Sequence, residues 1–349
     1  METSSSKEII KRRFPASKLG ELKALLDNSE GIVITTHFRP DGDAMGSSLG
    51  LYNYLKKRGI QSTVITPGDY PDFLNWLPGN SAVMNYESDP GQCDKIIADA
   101  SLIFCLDFNW LNRIEKMEKI IRNSNAKKIL IDHHLDPEKA YDMYFSYSDA
   151  CSTCELIYDF ISSLNDAEID KDIASCLYCG IMTDTNSFRF SSMKADTHRV
   201  VAKLIEAGAV NYKIHEQVYD NYSESRLRLI GHALLDKLVV LREFNAAYIA
   251  LSEKELMEYN FKSGDTEGLV NYALSIKDIR LAAFFSDRDG TIKISFRSKG
   301  DFSVKELSAK YFNGGGHRNA SGGNSAESLE ATIKKFISVL PNYKNELTG

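Results

Sequence analysis

No stretch of this 349-residue chain approaches the run of about twenty apolar residues that a membrane-spanning helix needs. The first segment, Met1 to Arg13, carries charges where a secretion signal needs its apolar stretch. Both absences lead us to expect a soluble, cytoplasmic protein with no membrane partner. Positive charge is not in excess either, since Lys and Arg number 42 against 48 Asp and Glu, a net charge of −6. That balance argues against coating long nucleic acid by bulk attraction, while leaving room for a local basic site. Six cysteines in a chain of this length lack the density of a secreted disulfide framework. There is no internal repeat, and low complexity is confined to the Ser-rich first six residues. What is present is 43% hydrophobic and 26% charged residues, enough for a real core, in a chain long enough for two domains.

The first two thirds alternate as an α/β domain does. Gly31 to Thr36 reads as a buried strand, followed by an amphipathic helix from Ala44 to Arg58 that stops at Gly59. Gln61 to Thr66, Leu102 to Leu106 and Lys128 to Ile131 are short apolar runs of the kind found in a parallel sheet. Leu111 to Arg122 reads as a charged helix, and Ser152 to Leu164 and Asp172 to Met182 as two more. From Thr197 to Ile230 the pattern is helical and polar-faced, which suits a connector. Beyond it, Lys237 to Leu251 and Ile279 to Phe296 alternate as strands, and Val304 to Tyr311 and Ser328 to Val339 read as helices. The expectation is therefore two domains with a boundary near residue 220.

Four apolar runs of the first domain end in acids or imidazoles. The run at Ile32 leads into His37, Asp41 and Asp43; that at Ile103 ends in Asp107; that at Ile129 ends in Asp132-His133-His134; and Gly180-Ile-Met-Thr ends in Asp184. Ligands of open α/β sheets gather beyond the carboxyl ends of the strands. Each residue alone has a plainer role as a turn former or helix cap, and Asp43 in particular stands where it can cap the helix that follows. Together the plain roles fail, because clustered carboxylates repel each other at low dielectric. Asp41, Asp43, Asp107 and Asp184 carry four negative charges, which two divalent cations would balance. Mixed carboxylate and imidazole ligands suit Mn²⁺, with Mg²⁺ or Co²⁺ as substitutes. A two-metal site clamps a phosphate and activates a water without a nucleophilic side chain.

In the second domain, Gly314-Gly315-Gly316 lets backbone N–H groups approach an anion, with His317, Arg318 and Asn319 following at once. A flexible loop is the plainer alternative for such a tract. From Arg288 to Arg318 seven basic residues face three acids, a local +4, with Arg297 on a strand. Such a patch beside an acidic crevice suits a small, multiply phosphorylated ligand. Phe188, Phe190 and Tyr311 are aromatics placed to stack on a base or, equally, to pack at the rim of a core. Cys151-Ser-Thr-Cys154 and Cys176-Leu-Tyr-Cys179 have zinc-ribbon spacing, but both pairs fall in helical patterns, where Cys serves as a small buried hydrophobe.

These segments resemble the DHH phosphoesterase family, which is named for the triplet Asp132-His133-His134. The likeness extends to His-x-x-Pro-Asp-x-Asp-x-x-Gly-Ser at His37 to Ser47, the isolated Asp107, and Thr183-Asp184-Thr185-Asn186-Ser187-Phe188. The tail, Ser295-Phe296-Arg297-Ser298 followed by a helix and Gly314 to His317, resembles the DHHA1 domain. The stand-alone NrnA-like branch fits best. The resemblance implies an α/β fold: a DHH domain over 1–220 with a mostly parallel sheet flanked by helices, a helical connector from about 191, and a smaller α/β DHHA1 domain over 221–349. It implies that His37, Asp41 and Asp107 hold one metal and that Asp43, Asp107, His133 and Asp184 hold the other. Asp132 would then orient a ligand and His134 contact the phosphate, while Arg113, Arg297, Gly314, Gly315, Gly316 and His317 bind substrate. Two departures stand out. Phe108-Asn109-Trp110 follows Asp107 where the family commonly has Thr-Gly-Asp, and Asn186 stands where Gly is usual.

The implied activity is hydrolysis of short oligoribonucleotides, of 3′-phosphoadenosine 5′-phosphate (pAp), or of both. Linear or cyclic dinucleotides such as pGpG and pApA, or polyphosphate, are alternative substrates, and a nucleotide-sensing protein without turnover is the alternative outside enzymes. A RecJ-type exonuclease needs further domains, and a family II pyrophosphatase lacks the Gly-Gly-Gly-His tail. A homodimer is left open.

Overall fold

The computed structural model describes residues 13–165, 168–190, 193–288 and 290–349, so the Ser-rich start and Asp289 lie outside the described residues. The chain divides into two compact units, 1–221 and 222–349. In the first, the elements in order are α1 (Ala16–Asp27), β1 (Ile32–Thr36), α2 (Gly42–Lys57), β2 (Ser62–Thr66), β3 (Met84–Asn85), α3 (Pro90–Asp99) and β4 (Leu102–Leu106). They continue with α4 (Glu118–Asn123), β5 (Lys127–Asp132), β6 (Met143–Ser146), α5 (Thr153–Asn165), α6 (Lys171–Asp184), α7 (Ala195–Glu206) and α8 (Asn211–Tyr219).

The six strands form one parallel sheet in the order β3-β2-β1-β4-β5-β6. Its strands are apolar on both faces. Ile32, Ile34, Phe104 and Ile129 pack in one cluster, with residues of α2, α5 and α6, and Val33, Ile103 and Leu130 pack in the other, with residues of α3 and α4. The strand order reverses between β1 and β4, so the connections leave the ends of these two strands in opposite directions and open a crevice there.

Two expectations change. Asp41 rather than Asp43 caps α2, its Oδ1 accepting from the N–H groups of Asp43 and Ala44 at 3.0 and 3.1 Å. Leu111 to Met117 is 3₁₀ rather than α, interrupted at Glu115 (φ 48°). Its buried residues, Leu111, Ile114 and Met117, recur every third position, the period of a 3₁₀ turn.

The second unit contains α9 (Glu224–Leu235), β7 (Leu238–Leu241), β8 (Ala246–Leu251), α10 (Glu253–Glu258), α11 (Leu269–Ser275), β9 (Leu281–Arg288) and β10 (Thr291–Ser298). It ends with α12 (Val304–Tyr311), β11 (Gly315–Gly316), β12 (Ala320–Ser325), α13 (Leu329–Val339) and α14 (Lys344–Thr348). Its mixed sheet runs β11-β12-β10-β9-β8-β7, with apolar clusters on both faces. Among the described residues no helix is long and apolar enough to cross a membrane.

Candidate active site

β1 and β4 are the strands that flank the reversal, and each delivers a residue there: His37 lies one position past β1, and Asp107 one past β4. Asp107 leaves the strand with φ 64°, a left-handed conformation uncommon for any residue with a Cβ. Outliers of this kind cluster at functional sites. β5 ends on Asp132, which is followed by His133 and His134. Asp184 arrives differently from the strand-end reading, since it is the last residue of helix α6.

The structure brings these groups together. His37 Nε2 lies 3.6 Å from Asp107 Oδ2 and 3.9 Å from Asp41 Oδ1. Its Nδ1 is 3.0 Å from the carbonyl of Phe38, which can only accept, so Nδ1 is the donor and Nε2 faces the carboxylates. On the other side, His133 Nε2 lies 3.4 Å from Asp107 Oδ1, 3.7 Å from Asp184 Oδ2 and 3.8 Å from Asp43 Oδ2. His37, Asp41 and Asp107 form one group able to hold a cation, and Asp43, Asp107 and His133 form another. Asp132, fully buried, lies 2.7 Å from His134 Nδ1 and fixes that ring.

The electrostatics state the cost of this crowding. Burial pushes the Asp43 carboxyl well above its usual range, and the charges of Asp107 and Asp184 push the same way. Burial, with Asp41 and Asp107 adding to it against His133, lifts Asp184 to about 6. Burial also opposes ionisation of Asp107, but the His133 and His37 hydrogen bonds prevail and hold it well below the usual carboxylate range. For His133, burial disfavours the charged ring, yet Asp107 and Asp184 raise its pKa well above the ordinary value. His37 is raised for the same reason, with Asp107 and Asp41 outweighing burial and the opposing charge of Arg113. The cluster therefore retains protons in order to stay compensated. A divalent cation supplies that compensation without them, and a donor set of imidazoles and carboxylates without thiolate fits a first-row ion.

Sequence reasoning missed Thr153. The N–H groups of Thr153 and Cys154, at the start of α5, donate to Asp43 Oδ2 at 2.6 Å and Oδ1 at 2.9 Å. The Thr153 hydroxyl donates to Asp107 Oδ1 at 3.0 Å. A helix N-terminus is a natural anion partner. The helix start was legible in Ser152-x-x-Glu155, where the Glu155 N–H donates to Ser152 Oγ at 3.1 Å, but nothing in the sequence names the distant carboxylate it serves.

The CxxC residues pack against the same helices. All six cysteines are free and buried, and Cys154 Sγ donates to the carbonyl of Asp43 and Cys176 Sγ to that of Pro78. Phe188 sits edge-on to Tyr178 at 5.7 Å, Phe190 is half-buried, and Tyr311 packs near Phe312 and Tyr343. Arg113 is exposed, and its carbonyl accepts from the N–H of Phe38 at 2.7 Å.

In the second unit, Arg297 Nη1 donates to the carbonyl of Phe296 at 3.0 Å. The glycine tract is largely a strand: Gly315 pairs with Gly322 and Gly316 with Ser321. A Cβ on Gly314 would lie 2.1 Å from the carbonyl oxygen of Gly322, so close strand approach requires that glycine. The N–H groups of Gly314 and His317 are committed to Ser308 and Ala320, while exposed Gly315 has open space beside its Cα. The basic stretch is not one patch. Arg288 pairs with Thr291 and Arg297 with Ala282, at opposite ends of a hairpin and about 20 Å apart by strand rise. Arg318 is bound to Asp301 at 3.2 Å.

Comparison with known proteins finds matches in both units. Residues 31–181 match the N-terminal domain of the DHH family, and residues 244–342 match the DHHA1 domain. The bifunctional oligoribonuclease and PAP phosphatase NrnA of Bacillus subtilis is 27% identical, over 86% of this chain and 91% of that protein. Its namesake from Thermus thermophilus is 30% identical, over 91% of this chain and 90% of that protein. The crystal structure of an exopolyphosphatase-related protein from Bacteroides fragilis is 39% identical with a TM-score of 0.91, covering 96% of this chain and 98% of that one.

Proposed function

The chain belongs to the DHH family, and from that membership we propose that it is a two-metal phosphoesterase of short oligoribonucleotides and pAp, with the first unit catalytic and the second binding substrate. The observation that carries the reading is the position of Asp107, whose Oδ2 faces His37 at 3.6 Å and whose Oδ1 faces His133 at 3.4 Å. A carboxylate with one imidazole beside each oxygen is placed to be shared between two ions, were they bound.

In this reading His37, Asp41 and Asp107 hold one ion, and Asp43, Asp107, His133 and Asp184 hold the second, with Mn²⁺ the preferred metal. Two bound divalent ions would lower the pKa of water and neutralise phosphate charge. The chain's own residues do the rest. Thr153 and the first N–H groups of α5 hold the Asp43 and Asp107 carboxylates in place. Asp132 fixes the His134 ring, which contacts the phosphate and stabilises charge developing there. Arg113, Arg297, the Gly314–Gly316 tract and His317 bind the nucleotide and its remaining phosphate. The protein acts in the cytoplasm on small substrates.

The test measures phosphate released from pAp and mononucleotide released from two- to five-residue RNA, each with Mn²⁺ and with chelator. Activity on either substrate, lost with chelator and absent in Asp107→Ala, is the expected result. Near-normal turnover by Asp107→Ala would sink the two-metal assignment. The name of the Bacteroides relative favours a second reading, hydrolysis of polyphosphate, and turnover of that substrate alone would select it. Saturable nucleotide binding with no product would make the protein a sensor.

A further inference from the structure

We propose that Trp110 is the platform on which the substrate's nucleobase stacks, an inference that rests on the nucleotide phosphoesterase reading above. Trp110 is one of two tryptophans in the chain, and 46% of its surface is exposed. It lies three residues past Asp107, so the backbone keeps the two Cα atoms within about 10 Å of each other. Exposure alone would mean little. The way the residue is held means more.

The loop that carries Trp110 is tied to the loop that follows His134. Trp110 Nε1 donates to the carbonyl of Asp136 at 2.9 Å, and Asn109 Nδ2 donates to that of Leu135 at 2.6 Å. In return the Glu138 N–H donates to the Asn109 carbonyl at 2.9 Å, and Glu138 Oε2 accepts from the Leu111 N–H at 3.0 Å. Arg122 holds Glu138 from behind at 2.7 Å. The one polar atom of the indole is thus satisfied by protein, which leaves its faces for an apolar partner. Leu135, which supplies the carbonyl to Asn109 and directly follows His134, is 42% exposed. A rigid ring loses little freedom when a ligand covers it.

The occupant follows from the neighbouring chemistry. A phosphate bound at the cations that Asp107 and its partners would hold carries its base one ribose away, and stacking accepts any base because every base has a π-face. That tolerance suits both pAp and short RNA of mixed sequence.

The test compares the wild type, Trp110→Ala and Trp110→Phe on pAp, on trinucleotide RNA and on an abasic analogue of the same phosphates. For Trp110→Ala we expect KM for the base-bearing substrates to rise about tenfold or more, beyond any change in kcat. The abasic analogue should show no such rise, and Trp110→Phe should recover most of the loss. In a Trp76→Phe background Trp110 is the sole indole, and its emission should be quenched saturably by pAp. An unchanged KM, or an equal loss on the abasic analogue, would overturn the platform, the second outcome pointing to a loop brace instead. Absence of wild-type turnover would count against the phosphoesterase reading itself. Quenching would then decide the platform alone, with a saturable signal supporting it and none overturning it.

Discussion

Asn186 adopts φ 50°, and Ser187 and Phe188 follow at 57° and 65°, a left-handed turn that begins two residues after Asp184. Glycine tolerates such a conformation at no steric cost, and asparagine is among the few other residues enriched there. Asparagine here therefore follows a backbone path that glycine would also take. Asn186→Gly should leave stability within about 1 kcal/mol of the wild type, whereas Asn186→Val should cost about 1–3 kcal/mol in urea unfolding. The ligands themselves predict a pH signature. Asp184, lifted to about 6, binds more protons folded than unfolded from its usual range up to that value, so its contribution to stability falls as pH rises through this window. His133 and His37, raised above their usual value, contribute stability below about pH 6.5 that is lost as pH rises through their folded values. With chelator, Tm should therefore fall from pH 5 to 8, and Mn²⁺ should flatten that slope. A Tm profile indifferent to metal would contradict the assignment.

Among elements, the packing of α2 on α6 does most to assemble the site. Gly42, Gly46 and Gly50 recur every four residues along α2 and face α6: a Cβ on Gly46 would sit 2.6 Å from the carbonyl oxygen of Cys176, and one on Gly50 would sit 2.6 Å from Leu177 Cδ2. From the opposite side, a Cβ on Gly180 would lie 3.0 Å from the Asp43 Cα. The absent side chains let the helices approach until Asp43 and Asp184 reach one imidazole. Gly46→Ala should destabilise the protein by about 1–3 kcal/mol through overpacking and should lower metal-dependent turnover more than its stability loss explains. Gly20→Ala in α1, where a Cβ meets nothing within 4 Å, should instead stabilise by about 0.5–1 kcal/mol and leave turnover alone. Equal effects from the two variants in thermal and kinetic assays would refute the packing argument.

At the scale of the molecule, each unit carries its own pair of apolar clusters, and His37, Asp41, Asp43, Asp107, His133 and Asp184 all lie in the first. Calorimetry should resolve two transitions. Mn²⁺ at a hundred times its dissociation constant should stabilise only one of them, by ~2.7 kcal/mol for each ion bound. A shift of both by the same amount would oppose a site confined to the first unit. How far this was legible beforehand follows from the physics of each part. Apolar runs such as Leu102 to Leu106 announce buried parallel strands by local composition, and acids or imidazoles just past such runs announce a crevice, so β1, β4, β5 and the residues that follow them could be read from the sequence. The left-handed turn at Asn186, the use of Asp41 as the α2 cap, and the 3₁₀ turn at Leu111 depend on local geometry that composition constrains weakly. Which oxygen of Asp107 meets which imidazole, and the donation from Thr153 to acids 46 and 110 residues away, were decided by tertiary structure alone. Pairwise distances across the chain reversal arise only when the sheet closes and the glycine face of α2 meets α6, and no local pattern encodes them.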